Sequence, residues 1–227
     1  MARHLPKSSD TQRSQKLLGE LIRRNPSFLS TQAGNPITWK SPVASDGFAE
    51  YSDADVLKVL ELSLPARRLP DFWPNRGPVW DGLGIEEGGN QTRILLEAKA
   101  YIEEADTTPT QAGESSKKRI DESLNETRLF MKATGGHADW SRSFYQYANR
   151  LAHLYLLAQV NSLPTELWFV YFCNLPNDPK TTSHEEWKGA LRLLHSHLGI
   201  GPRNPLRRQI REFFIDAQSL EQLDATP

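Results

Sequence analysis

"GPVWDGLGIEEGGNQTRILLEAKAY", residues 77–101, reads as two strand-like runs, about 77–85 and about 92–101, joined by a polar, Gly-rich turn. Asp81 interrupts the first apolar run, and Glu97 and Lys99 interrupt the second. Burying an unpaired charge is expensive even after relaxation, so three of them in apolar strands require a reason. Side chains alternate across a strand, which puts Leu95, Glu97, Lys99 and Tyr101 on one face and Ile94, Leu96, Ala98 and Ala100 on the other. Glu97 and Lys99 then point the same way, roughly 7 Å apart along the strand. Asp81 lies on the face of Val79 and Leu83, so a hairpin brings both carboxylates beside one lysine.

Two carboxylates a few ångströms apart repel unless a proton or cation lies between them. Hard oxygen ligands favour Mg²⁺, with Mn²⁺ as a substitute, and Mg²⁺ usually binds through one or two carboxylates plus substrate phosphate. A lysine at that position can orient or help deprotonate an attacking water, or neutralise charge growing on the phosphate. The spacing alone equally fits an edge strand carrying a Glu–Lys pair and a solvent-facing Asp.

Outward from this hairpin, "TQRSQKLLGELIRR" (11–24) has Leu17, Leu18, Leu21 and Ile22 at helical spacing, and "ITWKS" (37–41) fits a short strand. Residues 1–9 read as disordered, and 1–50 together as an arm packed on one domain spanning 51–220, with 221–227 a tail. "YSDADVLKVLELSL" (51–64) predicts a helix with Ser52 and Asp55 as its capping box. Helices are expected over 115–131, 140–160 and 183–199, the last capped by Ser183 and Glu186 and ended by Gly199. "ELWFVYFCN" (166–174) is apolar on both faces, as a central strand is, and "REFFIDA" (211–217) reads as the last strand. The order predicts one α/β domain around a central mixed sheet flanked by helices.

Composition narrows the function classes. The chain has 227 residues, 24% of them charged, and a net charge of −1, so the total charge gives no sign of a polyanion partner. No apolar run approaches the ~20 residues of a membrane span, and the first residues lack a secretory apolar stretch. Cys173 is the only cysteine, which rules out an internal disulfide and a Cys-cluster zinc site. A cytoplasmic protein without a membrane partner is the expectation, and self-association to a homodimer is left open. His137, His195 and His197 read as surface residues, and no Gly-rich phosphate loop or Ser/Cys nucleophile motif is present.

Asp81, fifteen intervening residues, then Glu97-Ala98-Lys99 resembles the D…(D/E)xK signature of the PD-(D/E)XK nuclease superfamily. The resemblance implies a restriction-endonuclease-like core of helix, three strands, helix and strand. It implies Asp81 and Glu97 as Mg²⁺ ligands, Lys99 as the partner of the attacking water, and DNA as the expected substrate. Trp80 stands where the motif name has proline, and "RRLPDFWP" (67–74) is a poor first core strand. The RecB-like branch adds an acid on the first helix, a place that Glu61, or Glu50 just before that helix, would fill. It also has a Gln-centred motif, which Gln146 resembles on the face shared by Asn149, Arg150 and His153; Arg150 replaces the tyrosine expected there. That face equally fits plain solvent exposure, and Glu61 an ordinary surface position. Arg150, Lys117, Lys118 and Arg119, and Arg207, Arg208 and Arg211 are the cations expected to meet a phosphate backbone. The alternative is a domain of this fold without turnover, holding nucleic acid or a protein partner.

Overall fold

The computed structural model describes residues 11–25, 29–30, 34–105, 109–134 and 139–222. Residues 1–9, His137 and the last residues of the tail lie outside them. The first elements are α1 (Thr11–Arg24) and β1 (Ile37–Ser41). Next come α2 (Asp53–Val59), the single turn α3 (Leu69–Phe72), β2 (Gly82–Glu86) and β3 (Arg93–Lys99). Then follow α4 (Glu114–Phe130), α5 (Tyr145–Leu154, widening into a π-turn over Tyr155–Val160) and β4 (Thr165–Cys173). The chain closes with α6 (His184–Leu198), β5 (Ile210–Asp216) and α7 (Ala217–Gln222).

The five strands form one mixed sheet in the order β1-β2-β3-β4-β5. β1, β2 and β3 pair antiparallel, while β3, β4 and β5 run parallel. Leu83, Leu95, Leu167 and Ile210 align across β2 to β5. This is an α/β fold with helices on both faces, and the succession α1, β1, β2, β3, α5, β4 is consistent with a restriction-endonuclease-like core. The first core helix and strand are therefore α1 and β1, not the 51–64 helix and the 67–74 segment, whose middle forms α3 instead. β1 docks tightly because residue 84 is glycine: a Cβ there would lie 2.6 Å from Ile37 Cγ2.

Alternation along β3 sorts the core into two layers, as the sequence pattern requires. Ile94, Leu96 and Ala98 pack with Trp168, Val170 and Phe172 of β4 against Leu18, Leu21 and Ile22 of α1. Leu95 faces the other way, with Leu167 and Phe169, toward Leu124 of α4, Leu151 of α5 and Trp187 of α6. Every residue of β4 is buried, which explains its unbroken apolar run. The segment expected as an arm thus supplies an edge strand and a covering layer of the sheet.

Two local expectations change. The helix expected at 51–64 is shortened to α2, and Ser52 makes no side-chain cap. Asp53 instead adopts φ +51° and its carboxylate accepts from the backbone N–H groups of Arg76 and Gly77 at 3.0 and 2.8 Å. The helix expected from 140 starts at Tyr145, because Asp139 caps a preceding turn through Ser141 N–H and Oγ. By contrast, α6 carries the expected Ser183–Glu186 capping box and ends on Gly199 at φ +69°. Leu18, fully buried under β3, tests whether α1 belongs to this core. Leu18→Ala should lower the unfolding free energy by about 2–5 kcal/mol, as for other large-to-small core changes, measured by urea denaturation. A loss below about 0.5 kcal/mol, the scale of surface changes, would make α1 a peripheral arm.

Candidate active site

The β2–β3 ladder stops at Gly82–Leu96, because the chain before it turns aside and Trp80 bridges to Tyr51. Beyond that point β3 has lost its β2 neighbour, and an unmet buried N–H is costly. Asp81 supplies the acceptor: its Oδ2 receives the Ala98 N–H at 2.8 Å. On its other side, Gln15 of α1 reaches Oδ1 with a long 3.5 Å contact. Asp81 is 9% exposed. Burial first, and then the neighbouring Glu97 carboxylate, push its carboxyl up to about 7.

Glu97, 4% exposed, sits between two cations. Lys99 Nζ lies 2.7 Å from Oε1. Arg150 of α5 meets Oε2 through Nε at 2.8 Å and Nη2 at 2.6 Å. Burial alone would raise Glu97, but Arg150 and Lys99 overcome it and hold the carboxyl below its ordinary value. Lys99 also donates to Gln146 Oε1 at 2.9 Å. Arg150 is itself fixed: Nη2 donates to Val79 O and Nη1 to Asn149 Oδ1, both at 2.8 Å, and its guanidinium lies 4.8 Å from the Trp80 ring centroid. One network therefore ties α5 to β3 and to the residues that lead into Asp81.

The structure gathers Asp81, Glu97, Lys99 and Gln146 as the sequence placed them, and corrects two assignments. Arg150 is buried in the Glu97 ion pair and is not a surface cation for a phosphate backbone. The face of α5 expected to be polar and exposed is buried at Asn149, Arg150 and His153. Burial lowers His153 to about 4, so it is neutral at pH 7. Glu61 stands exposed at φ +55°, bridged to Lys40 at 3.4 Å, outside the carboxylate pair. The backbone leaves the helix before it, which carries its side chain away from the core. The acids near Asp81 are Glu50 and Glu20, which line a cavity of about 460 Å³ that also opens on Asp81. Glu20 is the only acid of α1, and it becomes legible once Ile37–Ser41 is taken as the first core strand.

The basic clusters lie elsewhere. Lys117 pairs with Asp121 at 2.7 Å, Lys118 with Glu122 at 4.0 Å, and Arg119 donates to Pro70 O. Arg207 and Arg208 precede β5, whose first residue, Ile210, aligns with Leu167 and hence with Leu95. That level is four residues, about 13 Å, back along the strand from Lys99. Arg211 packs over Trp168 and Phe213 and donates to Ser30 O, on the α1 side of the sheet. The structure brings none of these arginines to the carboxylates. His195 donates to or accepts from Tyr147 OH at 2.8 Å, while His197 is exposed with its ring edge-on to Phe144.

Among the described residues no group of three or more His, Cys, Asp or Glu converges as a metal cage. The donors present still fit Mg²⁺, which binds through one or two carboxylates and keeps waters in its other positions. The raised Asp81 carboxyl beside ionised Glu97 is the charge conflict that such a cation would relieve. No family model matches the chain, and no curated protein or solved structure is matched by it.

The raised Asp81 carboxyl has a stability consequence. Between about pH 4 and pH 7 this group binds more proton in the folded than in the unfolded chain, so its contribution falls as pH rises through that window. Asp81→Asn keeps an acceptor for Ala98 N–H and removes the ionisation. With divalent ions chelated, the stability of Asp81→Asn relative to wild type should rise from pH 4 to pH 7 by on the order of a few kcal/mol, then level off. Urea denaturation across a pH series measures it; a difference that is flat with pH would show that Asp81 ionises as an ordinary surface carboxylate.

Proposed function

We propose that the chain is a Mg²⁺-dependent nuclease that hydrolyses phosphodiester bonds, with DNA as its substrate. One observation carries the reading: Asp81 and Glu97 are buried together where β2 and β3 part, with Lys99 held between Glu97 and Gln146. The resemblance of Asp81, Glu97, Ala98 and Lys99 to the PD-(D/E)XK signature supports it, and so does the order of α1, β1, β2, β3, α5 and β4. With the cysteine thiol free and buried, a reducing, cytoplasmic setting fits the chain.

Mg²⁺ held by Asp81 and Glu97 would polarise a phosphoryl oxygen and make its bound water a better nucleophile. The chain's own groups divide the remaining work. Gln146 and Glu97 fix the Lys99 ammonium on two sides, so it is oriented before substrate arrives. From there it donates a hydrogen bond to the attacking water and neutralises charge that grows on the phosphate. A space of about 20 Å³ lined by Glu97, Lys99, Gln146 and Arg150 has room for about one water. Arg150 is a positioning residue, since its contacts go to Glu97, Val79, Asn149 and the Trp80 ring.

A second reading, nucleic-acid binding without turnover, draws on one specific feature. Both oxygens of Glu97 are already engaged by Lys99 and Arg150, as in a purely structural ion pair. Metal binding and cleavage separate the two. In calorimetry with Mn²⁺, wild type should bind, and Asp81→Ala and Glu97→Ala should each lose that binding. Unchanged binding in both variants would leave the carboxylates without a metal role.

Lys99→Ala should bind Mn²⁺ and cut labelled DNA about two orders of magnitude more slowly than wild type, the scale of a lost acid–base or electrostatic contact. Single-turnover cleavage in Mg²⁺ measures this. Equal rates would make Lys99 a structural partner of Glu97, and wild type that binds metal yet does not cut would favour the second reading.

A further inference from the structure

The cavity beside Asp81 is open and amphipathic, unlike the tight space around Lys99. Its α1 wall carries Lys16, Gly19 and Arg23, at spacings of three and four residues and therefore on one helix face. Across from them stands Phe48, 54% exposed. Among the described residues only Phe48, Leu129 and Leu193 are large apolar side chains this exposed, and Phe48 alone lines this cavity.

Phe48 is held out rather than left loose. It follows a tight turn at Ala44–Asp46 and Gly47, and both Gly47 and Phe48 adopt left-handed backbone, at φ +59° and +57°. Such a backbone is unfavourable for a bulky residue, and residues of this kind cluster at ligand clamps. Hydrogen bonds lock it: Phe48 N–H to Val43 O at 3.0 Å, Ala49 N–H to Asp46 O at 3.1 Å, and Ser41 Oγ to Ala49 O at 2.8 Å. Beside the ring, glycine inside α1 is a poor helix former, yet it lets the helix approach Phe48 and Pro42 without filling the cavity. A Cβ at residue 19 would already touch Phe48 Cδ1 and Pro42 Cγ at 4.0 Å, and a longer side chain would project into the cavity.

We propose that this cavity takes one nucleotide of a single-stranded nucleic acid, its base stacked on Phe48 and its flanking phosphates met by Lys16 and Arg23. An aromatic ring with cations along a groove is the usual means of holding single strands. The volume of about 460 Å³ is that of a small-molecule site. A paired base, stacked on both faces, does not reach such a ring unless it is flipped out, so single strands are preferred over duplex. Glu20, one of whose oxygens pairs with Arg24, and Glu50 disfavour a bare phosphate in the middle of the cavity, which favours the base there and the phosphates at its ends. The direction of the strand rests on the nuclease reading, in which Asp81 faces the phosphate to be cut.

The test is fluorescence anisotropy with a short labelled single strand and its duplex, at fixed salt with Ca²⁺ in place of Mg²⁺. Wild type should prefer the single strand by about tenfold or more. Phe48→Ala should weaken single-strand binding about tenfold, equal to about 1.4 kcal/mol and within the stacking range, with little change for duplex. Phe48→Trp should restore it, and Gly19→Leu, whose side chain would occupy the cavity against the ring, should weaken it again. Circular dichroism and melting curves check that each variant is folded. Wild type that prefers duplex or binds neither form, Phe48→Ala that binds like wild type, or Phe48→Trp that fails to restore binding, would each overturn the site. Cleavage in Mg²⁺ keeps the two readings apart. Phe48-dependent binding without cleavage retains this site and removes the nuclease; Lys99-dependent cleavage with unchanged Phe48→Ala binding does the reverse.

Discussion

A carboxylate with 4% of its surface exposed stays ionised only if cations replace the water it has lost, and Glu97 has two. Arg150 takes one oxygen and Lys99 the other. The rest of the site depends on that arrangement. The guanidinium spends its remaining donors on Val79 and Asn149 and its flat face on Trp80, so the segment entering Asp81 is pinned to α5. Removing the arginine would leave the carboxylate buried with half its compensation and would free the chain before Asp81 at the same time. Geometry and charge are set by one residue.

The same network explains why the two carboxylates differ. Glu97 is stabilised as an anion by its ion pairs, while Asp81 receives one backbone N–H and one long amide contact. Burial and the charge on Glu97 therefore fall on Asp81, whose carboxyl rises to about 7. Two like groups in different surroundings have their ionisation pushed apart, a pattern shared by functional sites and by structural ion-pair networks. With both carboxylates ionised, Lys99 and Arg150 balance them; with Asp81 protonated, the cluster carries one positive charge.

Much of this was legible in the sequence because it rests on short-range rules. Period-two alternation put Glu97 and Lys99 on one face, the unbroken apolar run of residues 166–174 marked the central strand, and Ser183 with Glu186 marked the start of α6. Arg150 was not legible in its true role. Helical periodicity sets Gln146, Asn149, Arg150 and His153 opposite an apolar stripe, but it does not distinguish a face bathed in water from one packed on a buried acid. Only the sheet beneath α5 decides that. Glu61 failed for a related reason: the helix pattern of 51–64 runs past Val59, but Asp53 is committed to the turn at Arg76 and Gly77 and the helix stops early. Glu20 was hidden by the reading of residues 1–50 as an arm, when α1 is the layer that closes one side of the sheet.

That placement of α1 also shapes the space beside Asp81. On the α5 side, the space around Glu97, Lys99 and Gln146 is about 20 Å³, enough for a water and nothing larger. On the α1 side, about 460 Å³ opens directly on Asp81. Asp81 therefore borders the larger of these two spaces, while Glu97 and Lys99, the latter held by Gln146, border the smaller. The buried side of the site fixes charge and orientation, and the open side carries the larger cavity. α1 forms a wall of the open side and also buries Leu18, Leu21 and Ile22 against β3 and β4, so the same helix closes the core and borders the cavity.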